Sequence, residues 1–97
     1  MIRSFKNKAT EDIFNGLNTK QARSICPQSL WKVDFRKLDQ LDSAITIDVL
    51  RIPPGNHLEK LIGDHLGKYS IRINKQYRIC FIWVENGPDE VEIVDYH

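Results

Sequence analysis

Two arginines, Arg72 and Arg78, carry the clearest chemical signal in this 97-residue chain. They flank the turn-forming run Asn74-Lys75-Gln76, with alternating apolar and polar residues on either side. In Tyr69–Asn74 the period-two alternation sends Ile71 and Ile73 to one face and Ser70, Arg72 and Asn74 to the other. Beyond the turn, Arg78 alternates with Tyr77, Ile79, Phe81 and Trp83. If the large apolar set faces a core, both guanidinium groups project together from the opposite, open face. Two planar donor forks converging there would make an oxyanion clamp. Two exposed arginines paired with surface carboxylates would fit the same pattern, and such pairs contribute little.

A second signal is Asp95-Tyr96-His97, which directly follows a strand-like segment. Histidine exchanges protons near neutral pH more readily than any other side chain. A third is the stretch 52–67, with His57, Lys60 and His65 among Gly55, Gly63 and Gly67. A lone loop histidine is more often a surface residue than a catalyst, and Lys60 reads equally well as a solvated charge. No P-loop, nucleophile elbow or metalloprotease motif accompanies them.

The segments that must position these residues divide into two halves. Ile2–Phe5 suits a short first strand. Residues 8–15 suit a short helix with Ala9, Ile13 and Phe14 on one side, stopped at Asn15-Gly16. A longer helix is expected from near Pro27, where the missing N–H is harmless. Its apolar face would run Trp31, Phe35, Leu38, Leu41 or Asp42, and Ile45. Asp42 or Ser43 would cap a further short helix through Leu50, and Pro53-Pro54-Gly55 ends the helical half. Residues 52–67 then form a loop and a short edge strand. Strands follow at Tyr69–Asn74, Tyr77–Val84 and Val91–Tyr96, with Asn86-Gly87-Pro88-Asp89 as the last turn. Helices followed by an antiparallel meander make an α+β fold, with N-terminal helices on one face of a mainly antiparallel sheet.

Length predicts one compact domain spanning residues 1–97. Apolar residues make up 41%, a globular composition. No apolar run reaches the roughly 18–20 residues of a membrane span. The opening Met1-Ile2-Arg3-Ser4-Phe5-Lys6 lacks the apolar stretch of a secretory signal, so a cytoplasmic protein with no membrane partner is expected. Cys26 and Cys80 read as reduced, buried thiols, and the three histidines form no zinc-like spacing with them. Net charge is only +1, but it is uneven: +2 over residues 1–50, +4 over 51–78 and −5 over 79–97. The basic middle third suits a phosphate backbone.

Taken together, Pro53-Pro54-Gly55-Asn56-His57-Leu58-Glu59, Gly63-Asp64, Ser70-Ile71-Arg72-Ile73-Asn74, Tyr77-Arg78-Ile79-Cys80-Phe81 and Val91-Glu92-Ile93-Val94-Asp95-Tyr96-His97 resemble the HigB-type toxins, or plasmid-maintenance killer proteins, of the RelE/ParE superfamily. The opening Met1–Phe5 is similar to theirs as well, so the resemblance spans essentially the whole chain. It implies a RelE-like α+β fold. It further implies ribosome-dependent cleavage of mRNA on the 70S ribosome without a cofactor or metal. Inhibition would come from a cognate HigA-like antitoxin with a helix-turn-helix domain, through which alone operator DNA would be met. The matching catalytic positions are Arg72, Arg78, Asp95, Tyr96 and His97, with His57 as a second histidine. Lys60 inherits a phosphate-binding role, and Arg51, Lys68 and Lys75 join it as candidate RNA contacts. Two other classes stay open: a ParE-like toxin acting on gyrase, and a non-enzymatic module that only binds an antitoxin.

Overall fold

In the computed structural model, which describes residues 1–61, 67–85 and 87–96, three α-helices precede a four-stranded antiparallel sheet. The helices are α1 (Lys8–Phe14), α2 (Lys20–Ile25) and α3 (Trp31–Ser43). The strands are β1 (Glu59–Lys60), β2 (Lys68–Arg72), β3 (Tyr77–Val84) and β4 (Gly87–Asp95), and they lie in the order β1-β2-β3-β4. This is the expected α+β arrangement. Of the residues singled out in the sequence, His97, His65, Gly63, Asp64 and Asn86 lie outside the described residues.

Local chemistry sets the helix ends. The Asn7 side chain accepts a hydrogen bond from Thr10 N at 2.9 Å and so caps α1. Gly16, at φ 74°, takes the left-handed turn that ends it. Helix α2 has no counterpart among the elements expected from sequence. Its start signal was present, since Thr19 Oγ1 accepts from Ala22 N at 3.1 Å, but one short turn with a single buried residue, Ala22, shows no periodicity.

The α3 apolar face differs from expectation. The fully buried positions are Asp34, Leu38 and Leu41, whereas Phe35 is 47% exposed and Ile45 76% exposed. Phe35 sits at the border of the stripe and stacks on Phe14, with ring centroids 5.9 Å apart. The helix stops at Ser43 and Ala44 is extended, so Ile45 leaves the face altogether. Instead of starting near Pro27, the α-helix begins at Trp31 after a 3-10 turn over Gln28–Leu30. The segment expected as a short helix through Leu50 is also a 3-10 turn, Ile47–Arg51.

The strands differ from expectation in three places as well. Ile2–Phe5 makes a single parallel bridge, Phe5 to Val91, rather than a strand. It is held to β4 by Arg3 N to Pro88 O at 2.8 Å and Lys6 N to Val91 O at 2.9 Å. Gly87, Pro88 and Asp89, expected in the last turn, already belong to β4, where Gly87 pairs with Val84, Pro88 with Trp83 and Asp89 with Ile82. Gly87 has to be small there: a Cβ would come 2.7 Å from the Met1 carbonyl oxygen. Finally, β2 ends at Arg72, and Asn74 builds the turn by accepting from Gln76 N and Tyr77 N, each at 2.8 Å.

The helices cover one sheet face. Ile71, Ile79, Phe81, Val91 and Ile93 from the sheet meet Ile13, Ala22, Leu38, Leu41 and Leu50, all at 3% exposure or less. Tyr77 is buried with them, and Trp83, nearer the strand end, is only partly covered. Cys26 and Cys80 are free thiols, both buried, as expected. Among the described residues, no helix is long and apolar enough to cross a membrane.

Candidate functional site

The antiparallel register of β2 and β3 decides what shares the other face. Ser70 pairs with Cys80 and Arg72 with Arg78, while Ile71 pairs with Ile79. Cross-strand partners point the same way, so both arginines stand opposite the core, as the alternation predicted. One feature differs: Arg78 is not exposed but 92% covered, at 8% relative exposure. Its cover comes from a segment that alternation does not describe. The 3-10 turn Pro54–Asn56 brings residue 57 over the strand, and β1 closes beside it by pairing Glu59 with Ser70.

Arg78 is gripped along one edge of its fork. Nε donates to Ser70 Oγ at 2.8 Å, and Nη2 donates to the His57 carbonyl at 2.6 Å. Both close acceptors are neutral. Among the described residues the nearest carboxylate is Glu59, 3.9 Å away and more than half exposed. The cation is therefore buried and fixed without tight neutralisation, which keeps it available to an anion.

An open cleft of about 500 Å³ lies over it, lined by His57, Glu59, Arg72, Asn74, Lys75, Arg78 and Tyr96. Three of these residues, Arg72, Lys75 and Arg78, are basic and one, Glu59, is acidic. Arg72 Nε donates to the Asn74 carbonyl at 3.1 Å, which holds the side chain back along its own hairpin. Tyr96 packs its ring 5.8 Å from the Arg78 guanidinium carbon. Burial, then the neighbouring Cys80, holds its phenol pKa above the usual tyrosine value. The phenol therefore stays protonated at neutral pH and can donate.

Of the ten residues singled out for catalysis or RNA contact, five line the cleft: His57, Arg72, Lys75, Arg78 and Tyr96. Lys60 pairs with Tyr69, one step out of phase with Ser70, and is not in the cleft lining. Lys68 shares the open face but lies at the far end of β2, 4.0 Å from Glu92. Arg51 is on the surface in an ion pair with Asp48 at 3.2 Å. Asp95 pairs with Tyr77, and its Oδ2 accepts from Gln76 Nε2 at 3.0 Å. His97 lies outside the described residues. Three residues at the site, Ser70, Glu59 and Asn74, are not among the expected site residues. Ser70 was legible as the same-face neighbour of Arg72. Asn74 was legible in the same way, from the alternation that put it on the face of Arg72, whereas Glu59 carried no chemical signal of its own in the loop.

A sequence profile described as "RelE-like toxin of type II toxin-antitoxin system HigB" matches residues 3–97. The chain is 46% identical over 85 residues to "Toxin HigB-1" of Vibrio cholerae serotype O1, covering 88% of this chain and 86% of that protein. It is also 47% identical over 60 residues to an "Uncharacterized protein" of Haemophilus influenzae, covering 62% of this chain and 59% of that one.

Proposed function

This chain belongs to the HigB family of RelE-like toxins of type II toxin–antitoxin systems, and on that premise we propose that it is a ribosome-dependent, metal-independent mRNA endonuclease. The observation that carries the reading is Arg78: a nearly buried cation at the base of an open cleft, whose close partners are a hydroxyl and a carbonyl. Such a group is prepared to meet a phosphate.

RNA cleavage by its own 2′-OH calls for three things. A base takes the 2′-OH proton as the 2′-oxygen bonds to phosphorus. Cations stabilise the charge on the phosphorane. An acid then protonates the departing 5′-oxygen as the P–O5′ bond breaks, leaving a 2′,3′-cyclic phosphate and a 5′-OH. In this reading Arg72 and Arg78 hold the phosphorane, and Tyr96 stacks on a base or orients the phosphate. His97 and His57 exchange the protons, and Asp95 orients a histidine or contacts RNA. Lys75 draws the backbone to the cleft, with Lys60, Lys68 and Arg51 as contacts further out. The ribosome presents the mRNA in a cleavable geometry, which lessens what so small a protein must supply. The inhibitor is a cognate HigA-like antitoxin with a helix-turn-helix domain, which alone contacts operator DNA.

The test is to map mRNA 5′ ends on purified 70S ribosomes with and without the protein. New ends that vanish with Arg78→Ala are expected. A folded protein that arrests growth yet leaves mRNA intact would overturn the nuclease reading, and a gyrase supercoiling assay would then be the next measurement.

A further inference from the structure

Arg78 is held partly by a backbone carbonyl in a loop, and loops do not hold carbonyls still unaided. His57, which supplies that carbonyl, adopts a left-handed conformation (φ 44°, ψ 56°) that costs an L-residue energy. Something must impose it. The residue before it, Asn56, is fully buried, an unusual place for an amide side chain in a connecting segment.

Every polar group of the Asn56 side chain is used. The two Nδ2 hydrogens go to the Leu50 carbonyl at 3.0 Å and Gln40 Oε1 at 3.0 Å, with the Ile52 carbonyl at 3.3 Å sharing one of them. Oδ1 accepts from Lys37 Nζ. The main chain adds Asn56 N to Pro53 O at 2.9 Å and His57 N to Pro54 O at 3.0 Å. One side chain thus fastens the turn to α3 and to the segment leaving the 3-10 turn Ile47–Arg51. The next carbonyl along is the one on Arg78.

We propose that Asn56 is a positioning residue for the phosphate-binding arginine: it locks the turn so that the His57 carbonyl, independently of the His57 imidazole, aims the Arg78 guanidinium into the cleft. The inference deepens the nuclease reading and rests on it for its catalytic consequence. The positioning itself has a separate readout. Arg78 Nε–H is buried against Ser70 and should give a solvent-protected side-chain resonance in a nitrogen-15 spectrum.

The experiment compares Asn56→Ala, Asn56→Asp and the double variant Asn56→Ala/Arg78→Ala with the parent chain. Ile13→Ala serves as a control for simple loss of stability, because Ile13 is buried in α1 away from the turn. Both Asn56 variants should expose the Arg78 Nε–H to solvent exchange. Ribosome-bound cleavage should fall by about 10- to 100-fold, the scale set by small misplacements of a reacting group. The double variant should lose no more than Arg78→Ala alone. Ile13→Ala should keep the protected resonance whatever its melting temperature.

Should the Asn56 variants not fold, His57→Gly and His57→Val decide the matter. Both lack the imidazole, but glycine accepts the left-handed backbone and valine does not. Only His57→Gly should retain the protected Arg78 signal. A protected resonance in Asn56→Ala, or equal signals in His57→Gly and His57→Val, would overturn the proposal. Intact resonances and positioning effects in a protein that cleaves no mRNA would sink the nuclease reading alone.

Discussion

The guanidinium carbon of Arg78 lies 5.8 Å from the centroid of the Tyr96 ring, within reach of a cation–π contact. The pair joins the middle of the sheet to the segment just past β4. The aromatic ring therefore forms one wall of the cleft whose base is the charge. Tyr96→Ala removes the wall, and loss of one base-stacking surface costs about 1–3 kcal/mol. Single-turnover cleavage should fall by about 10- to 100-fold. Tyr96→Phe keeps the ring and should fall less. Equal losses in the two variants would assign the effect to the hydroxyl instead.

Arg78→Ala should lower cleavage by about 100-fold or more, the scale of removing one preorganised charge from a transition state. Arg78→Lys should recover only part of this, because an ammonium cannot span Ser70 Oγ and the His57 carbonyl as a planar fork does. The alanine variant also leaves those acceptors unpaired at a covered site, so chemical denaturation should show a loss of about 1–3 kcal/mol. Full activity in Arg78→Ala would remove the cleft as the reaction site.

His97→Ala should reduce the same rate by about 100-fold if the imidazole is a general acid or base. It should leave the unfolding temperature unchanged, and one limb of the pH–rate profile should flatten. A fully active His97→Ala protein would shift proton transfer to His57 or to the ribosome.

Asp34 gives a prediction about stability alone. It is wholly buried on α3, and among the described residues neither carboxylate oxygen has a hydrogen-bond partner of ordinary geometry. Burial raises its pKa from 3.8 to about 6, against the opposing effect of the weakly donating Cys26 thiol. The fold accommodates the neutral acid, so the folded protein holds a proton that the unfolded chain releases near 3.8. Stability from this site is full below about pH 4 and is lost as pH rises through about 6. The loss amounts to about 3 kcal/mol. Asp34→Asn should therefore be more stable than the parent at pH 7.5, with the difference shrinking toward pH 4. A difference independent of pH would show that the carboxyl does not titrate in this range.

Residue type and alternation determined a good deal here on their own. The pattern Tyr77–Val84 predicted β3 to its ends, and period two placed Arg72 and Arg78 together opposite the core. Such local signals are legible because a strand has a fixed side-chain period and one apolar face. A helix stripe is looser: α3 buried Asp34, where Phe35 was the apolar choice, because packing against α1 and the sheet selects the rotation. Burial of Arg78 was invisible in sequence. It depends on Asn56, a residue 22 positions earlier, folding a turn over the strand. Likewise, Lys60 and Glu59 differ by one position in the edge strand. Pairing register alone put the acid rather than the base opposite Ser70 and into the cleft. Pattern assigns a side chain to a face, but covering that face, and choosing which neighbour reaches it, requires long-range hydrogen bonds that only the assembled chain can make.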